Sequence, residues 1–276
     1  MEFCKSFQAI GEQHPNIKWL KGIIANTKPN PEKLFVGEGL WLGKMILESD
    51  SKIRAIFICP ELVKTEEEES LINSLCMKCD ERYTVSSKTF EKLSEKPNSD
   101  GIIVLATLNL RDHDKFNPQK ESVVLVLDGI EIPGNIGTML RMCDGAGVDA
   151  VFICNRKARL THPKLIRSSQ GAVLTVPMYE FESEKDCCDL LKKKGYTVYL
   201  ADTRATQSYC ECDYPNKTAF VMGSERYGIS RKWYDFNHEM VSIPMYGKCD
   251  SLNVGVAATV LVYEATVKKK ALRSKQ

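Results

Sequence analysis

The chain has 276 residues, 43% of them apolar and 27% charged, with 38 Lys+Arg against 36 Asp+Glu for a net charge of +2. That length leaves room for two domains, and that charge is far from the basic balance typical of chains that hold nucleic acid by charge alone. No apolar run reaches the roughly 18 residues of a membrane span, the start MEFCKSFQAIGEQHP lacks the apolar core of a secretory signal, and the eleven cysteines are scattered. These features predict a protein without membrane contact, in a reducing, cytoplasmic compartment.

In chain order, residues 16–26 read as a helix, followed by strands KLFVGEG, IRAIFIC, RYTVSS and GIIVLATLN. Between them GLWLGKMILES, EEEESLINSLCMKC and SKTFEKLSE place apolar residues at helical spacing. The polar stretch 109–122, with Pro118 and no periodicity, reads as a linker. The second half opens on SVVLVLDGI, an apolar run of the kind buried on both faces of a sheet. Strands recur at DAVFIC, LTVPMYEF, YTVYLAD, TAFVMG and EMVSIPM, alternating with helical GNIGTMLRMCDGA, PKLIRSSQGA, EKDCCDLLKKKG and LNVGVAATVLVYEATVKKK. This alternation predicts an α/β protein whose second half is a mostly parallel sheet covered on both faces. The last residues, KKKALRSKQ, read as a frayed basic end.

Several chemistries are disfavoured. GEGLWLGKM resembles a phosphate loop, but Glu38 and Met45 stand where glycine and Ser/Thr are needed, so Gly37 and Gly39 read as a strand-to-helix turn. Cys76 and Cys79 have CxxC spacing with no second pair nearby, which reads as one face of a helix, and no metal is expected. The four histidines adjoin no motif Ser or Cys, which argues against a hydrolase triad.

Three segments remain: IPGNIGTMLRMCDGAG (132–147), VMGSERYGIS (221–230) and SIPMYGKCDSLNVGVAA (242–258). Each follows a β-branched run, and the C-terminal ends of parallel strands are where open α/β sheets bind ligands. Asn135 reads as a helix N-cap, with Ile136, Leu140 and Cys143 on one face and Arg141 beside it. Gly223 and Gly228 bracket a loop able to wrap a flat ligand, and Ser251 reads as the cap of a long helix whose first turns, at Gly255, Ala257 and Ala258, are thin enough for close packing. Between Ala150 and Tyr179 there is no acidic residue, while Arg156, Lys157, Arg159, Lys164 and Arg167 are present, a local field suited to RNA phosphates.

In this order the segments resemble the SpoU (TrmH-like) branch of the SPOUT RNA methyltransferases. Asn135, Gly137 and Arg141 match N-x-G-x-x-x-R; Gly223, Glu225 and Gly228 match G-x-E-x-x-G; Ile243, Pro244, Met245, Ser251, Leu252, Asn253 and Val254 match I-P-M-x(5)-S-L-N-V. Ser224 and Arg226 depart from the family's usual Asn and Gly. The resemblance spans about 122–268, and a weaker one relates the first half to the ribosomal L30e-like substrate domain. It implies three regions: an L30e-like RNA-binding domain at 1–110, a linker at 111–121 and a SPOUT catalytic domain at 122–276 with a deep trefoil knot, an exception to the rule against threaded chains. It further implies a homodimer that transfers a methyl group from S-adenosylmethionine to a ribose 2′-hydroxyl, in rRNA ahead of tRNA. The cofactor then falls to Gly223, Ile243, Met245, Leu252 and Thr203, and the chemistry to Arg141, with Asn135, Glu225, Ser251 and Asn253 as positioning groups. A tRNA 2′-O-methyltransferase, an enzyme acting on a base or a protein, and a non-catalytic RNA-binding protein of the same fold are the alternatives.

Overall fold

A computed structural model describes residues 7–95 and 99–273, with side chains to residue 269. The backbone separates into two compact units, Met1–Asn109 with Leu160–Leu174, and Leu110–Arg159 with Thr175–Gln276. The segment 160–174 thus joins the first unit although it lies within the sequence of the second.

The first unit carries β1 (Gln8–Ala9), α1 (Pro15–Ile24), β2 (Leu34–Glu38), α2 (Leu40–Glu48), β3 (Ile53–Ile58), α3 (Glu66–Cys76), β4 (Cys79–Thr84), α4 (Ser87–Glu91) and β5 (Ile102–Thr107). The sheet order is β1-β4-β3-β5-β2, with β4 parallel to β1 and β3, and β5 antiparallel to β3 and β2. Local chemistry sets the boundaries. Thr65 accepts from the Glu68 amide while Glu68 reaches back to the Thr65 amide, a reciprocal cap that starts α3. Gly39, at φ +90°, turns the chain from β2 into α2. Gly37 belongs to the strand instead, where Ile46 fills the space a side chain would need.

The second unit carries β6 (Ser122–Asp128), α5 (Pro133–Ala146) and β7 (Ala150–Cys154). The chain then passes through α6 (Pro163–Ser169) and α7 (Ala172–Thr175) before β8 (Met178–Glu180), α8 (Glu184–Lys193), β9 (Thr197–Ala201), β10 (Lys217–Gly223), β11 (Glu239–Val241) and α9 (Val254–Arg273). Its six strands are all parallel, in the order β11-β9-β10-β6-β7-β8. Every residue of β6 is buried, as its unbroken apolar run predicts for a central parallel strand. Phe152, Tyr179, Val198, Val221 and Trp233 build a core on one side of the sheet.

Five expectations change. Ile132 caps α5 and Pro133 occupies its first turn, so Asn135 stands inside the helix, because a proline's fixed φ suits N1. Helix α9 starts at Val254, where the Asn253 side chain accepts from the Gly255 amide; Asn253, not Ser251, is its cap. The helix also runs through Arg273 rather than fraying from 268, while 274–276 lie outside the described residues. The polar stretch before β6 is docked: Phe116 is buried against Phe152 and Tyr179, with ring centroids 5.0 and 5.3 Å away, and the Arg111 amide donates to Met178 O. Cys76 and Cys79 do not share a helical face, since α3 ends at the first and β4 begins at the second.

Near its C-terminus α9 buries Lys269, whose ammonium donates to Ser122 O, Asn216 O and Thr218 Oγ1 and so ties the helix to the starts of β6 and β10. The thin first turn of α9 packs on α5, with Thr138 and Met139 next to Gly255. Along one side of the helix Val256, Tyr263 and Val267 are exposed at helical spacing.

Candidate active site

The parallel strands β11, β9 and β10 lie side by side and end together, and their C-terminal ends open into a cleft of about 1080 Å³. Beyond β10 the chain folds sharply back. The Ser224 amide donates to Gly228 O at 3.0 Å, the Gly228 amide returns to Ser224 O at 2.9 Å, and Ser224 Oγ accepts from the Tyr227 amide. Gly228 adopts φ +70° to close this loop. Gly223 is required for another reason: a Cβ there would lie 2.2 Å from both Gly228 C and Ile229 N.

A second layer of polar groups fixes the loop from below. Asp128, at the end of β6 and 1% exposed, accepts from the Ser230 amide at 2.7 Å and from Asn155 Nδ2 at 2.6 Å. Glu184 accepts from Asn155 and from the Ser230 hydroxyl. Burial pushes the Glu184 carboxyl up, but these hydrogen bonds and nearby Lys232 outweigh it and hold the group below its usual range.

The three sequence segments meet through their polar side chains. Asn135 Nδ2 donates to Glu225 Oε1 at 2.5 Å, and Asn253 Nδ2 donates to Asn135 Oδ1 at 3.3 Å. The Glu131 amide reaches the other Glu225 oxygen at 3.4 Å. One chain of hydrogen bonds thus joins the start of α5, the loop after β10 and the cap of α9.

Of the residues anticipated from sequence, Gly223, Ile243, Met245, Leu252 and Thr203 all line the cleft, as do Asn135, Glu225, Ser251 and Asn253. Arg141 does not. It follows Asn135 by six residues, about 9 Å along the axis and about 240° around it, which puts it at the centre of the exposed face of α5. Among the described residues it makes no hydrogen bond or ion pair. The five basic residues are divided between the units: Arg156, Lys157 and Arg159 belong to the second, Lys164 and Arg167 to the first. Arg156 pairs with Glu180 and Arg167 with Glu95, so two of these charges are already compensated.

Sequence reasoning missed the cluster on the cleft's far wall. Asp202, just past β9, takes a forked contact from Arg204 (3.0 and 2.7 Å), and Tyr234 donates to the same carboxylate. Arg204 holds the Asp202 carboxyl well below its usual range, against burial and with help from Tyr234. Asp202 directly precedes the anticipated Thr203, but Tyr234 sits in a short 3-10 turn (Arg231–Asp235) whose five residues show no pattern to read. A depressed carboxyl stabilises the fold above its unfolded value near ~3.9, and that gain is lost as pH falls through the folded value. Asp202→Asn is therefore expected to lower the melting temperature at pH 7, with the difference from the native protein shrinking steadily below pH 4. Thermal scans from pH 7 to pH 2.5 check this, and a difference independent of pH would refute the charge-based account.

The SpoU rRNA Methylase family model matches residues 122–263, which contain the whole cleft. The chain belongs to this family. As an RNA methyltransferase of the SpoU/TrmH type, it is similar to an uncharacterised tRNA/rRNA methyltransferase of Synechocystis, 31% identical over 183 residues that cover 66% of each chain. A crystal structure of an RNA 2′-O ribose methyltransferase is 28% identical, superposes with a TM-score of 0.79, and is matched over 95% of this chain and all of that one. An AdoMet-bound rRNA methyltransferase from Sinorhizobium meliloti has the same fold at a TM-score of 0.84, with 19% identity and coverage of 94% and 97%. Among the described residues of this SpoU family member, no helix is long and apolar enough to cross a membrane.

Proposed function

We propose that this protein transfers a methyl group from S-adenosylmethionine to a ribose 2′-hydroxyl of RNA, with rRNA ahead of tRNA as the substrate. The observation that carries this reading is the hydrogen-bonded chain Glu225–Asn135–Asn253, which closes one side of a cleft built on three parallel strand ends. The neighbour at 28% identity, a ribose 2′-O-methyltransferase, supports the choice of the hydroxyl.

The cleft suits this cofactor. Met222, Ile229, Val241, Ile243, Met245 and Leu252 give apolar walls for an adenine ring, and the Gly223 loop, which also lines the cleft, would offer backbone hydrogen-bonding groups. Asp202 offers acceptor oxygens on the opposite wall for hydroxyl or ammonium groups. When bound, the cofactor supplies a methyl group already activated by its sulfonium. The protein's own task is then to align the ribose hydroxyl and remove its proton. Asn135, Glu225, Ser251 and Asn253 position the cleft's edge. Arg141 is a poor base, because a guanidinium stays protonated, and a good clamp for a phosphate beside the reacting ribose. Its place on the outer face of α5 fits delivery of this side chain to the cleft of a second copy, so the active form is a homodimer. The exposed stripe at Val256, Tyr263 and Val267 is suited to such a contact. The same reading gives the catalytic unit a trefoil knot, assigns the first unit an L30e-like, RNA-holding role and places the protein in the cytoplasm.

Incubation with labelled S-adenosylmethionine and unmodified cellular RNA, with rRNA and tRNA separated and the product mapped, is the test. The expected product is a 2′-O-methylribose in one rRNA species. Label confined to tRNA would overturn the substrate, and a methylated base, or label accepted by a 2′-deoxy substrate, would overturn the chemistry.

A further inference from the structure

One cysteine pair in the first unit stands apart from the other thiols. Burial pushes Cys59, Cys143, Cys187, Cys188 and Cys212 up, which makes them inert. Cys79 moves the other way, down to about 7: a hydrogen bond with the Cys76 thiol lowers it most, burial opposes, and Arg82 lowers it further.

The geometry accounts for this. Cys76 closes α3, Met77 and Lys78 make a turn, and Cys79 opens β4. A turn of this size brings its end residues within about 7 Å, close to the span of about 4.4–6.8 Å that a disulfide bridges. Cys79 Sγ lies 3.7 Å from Cys76 O. The Arg82 guanidinium donates to the same carbonyl at 2.6 Å, and its buried Nε has no other partner among the described residues, which leaves a cationic donor beside the two sulfurs. Cys79 is 8% exposed, whereas Cys76 is half-buried and open to a small reagent. A metal site is a poorer account, because among the described residues only Asp112, His113 and Asp114 gather three potential ligand atoms.

We propose that Cys76 and Cys79 form a reversible dithiol–disulfide pair, oxidised by a small disulfide such as glutathione disulfide. Cys76 is the more accessible of the two sulfurs, and as a thiolate it attacks one sulfur of the reagent, the reagent's S–S bond breaks and a glutathione thiolate leaves. Cys79, as its thiolate, then attacks the Cys76 sulfur of the mixed disulfide and expels the second glutathione. Two electrons pass to the reagent, and the two thiol protons end on the two glutathione thiols or in solvent.

Lys78 lies between the two cysteines, so trypsin cuts the reduced chain into separate peptides 65–78 and 79–82. After equilibration of the full-length protein with glutathione disulfide and alkylation of free thiols, the two peptides are expected to appear joined and to separate on reduction. Cys79→Ser should leave glutathione on Cys76, and Arg82→Gln should slow formation of the joined peptide at pH 7 by about tenfold as the thiolate fraction falls. If native protein yields no joined peptide while exposed Cys210 and Cys249 take up glutathione, the pair is not a redox site. An unchanged rate in Arg82→Gln would remove the arginine from the account.

Discussion

Gly223→Ala is expected to abolish cofactor capture. The added methyl would lie 2.2 Å from Gly228 C and Ile229 N and 2.5 Å from Gly228 O. These are backbone atoms, so no rotamer change relieves the clash. Nor is the loop free to retreat, since the paired amides of Ser224 and Gly228 close it and Asp128 holds the Ser230 amide beneath it. Overpacking of this kind costs about 1–3 kcal/mol or more, and here the strain falls on the wall of the cleft. The dissociation constant for S-adenosylmethionine should rise by at least about 100-fold, equivalent to ~2.7 kcal/mol, with a melting temperature several degrees lower. Gly134→Ala is the control, because a Cβ at Gly134 meets nothing within 4 Å. Titration calorimetry with both variants decides the matter, and an affinity within about threefold of native for Gly223→Ala would show that the loop yields.

The second large effect concerns Arg141. On the proposed mechanism, Arg141→Ala should lower methyl transfer by on the order of 10²–10³-fold, the usual cost of removing one preorganised charged donor from a reacting centre. Cofactor affinity and melting temperature should stay at native values, since the side chain is exposed and bonds to nothing among the described residues of its own chain. Arg141→Lys should recover little, because an ammonium cannot reproduce the forked geometry. If Arg141 acts on a neighbouring copy's cleft, mixing Arg141→Ala chains with Gly223→Ala chains should restore part of the activity that neither has alone. Near-native turnover in Arg141→Lys would end the argument for a geometry-specific guanidinium, and failure of mixing to restore activity would end the argument for delivery between copies.

Much of the fold was legible because periodicity and burial coincide. The apolar run at 122–128 became a fully buried central strand, and Ile136, Leu140 and Cys143 form part of the buried face of α5. The cleft residues were legible for a different reason: they follow strands, and parallel strands in one sheet must end on one side. Helix starts were harder. Asn135 and Ser251 are good capping residues by type, yet the cap positions fall to Ile132, ahead of Pro133 in the first turn, and to Asn253, and Asn135 and Ser251 instead line the cleft. The Asp202–Arg204–Tyr234 cluster was out of reach because it joins residues 32 apart through a turn too short to carry a pattern. The basic block was legible only as charge: Glu180 and Glu95, which pair with two of its members, lie outside the stretch and cannot be matched to them from sequence alone.

Lys269 has a consequence for how the cleft is tied to the rest of the fold. Its ammonium is the partner for carbonyls at the start of β6 and just before β10, so α9 and two neighbouring strands of the second sheet hold one another. The Asn253 cap that completes the cleft's edge opens that same helix. The strands alone therefore do not make the closed cleft: with α9 undocked, both the Lys269 contacts and the Asn253 bonds are missing. Cofactor binding, which favours whichever state has the closed cleft, is thereby coupled to the seating of α9.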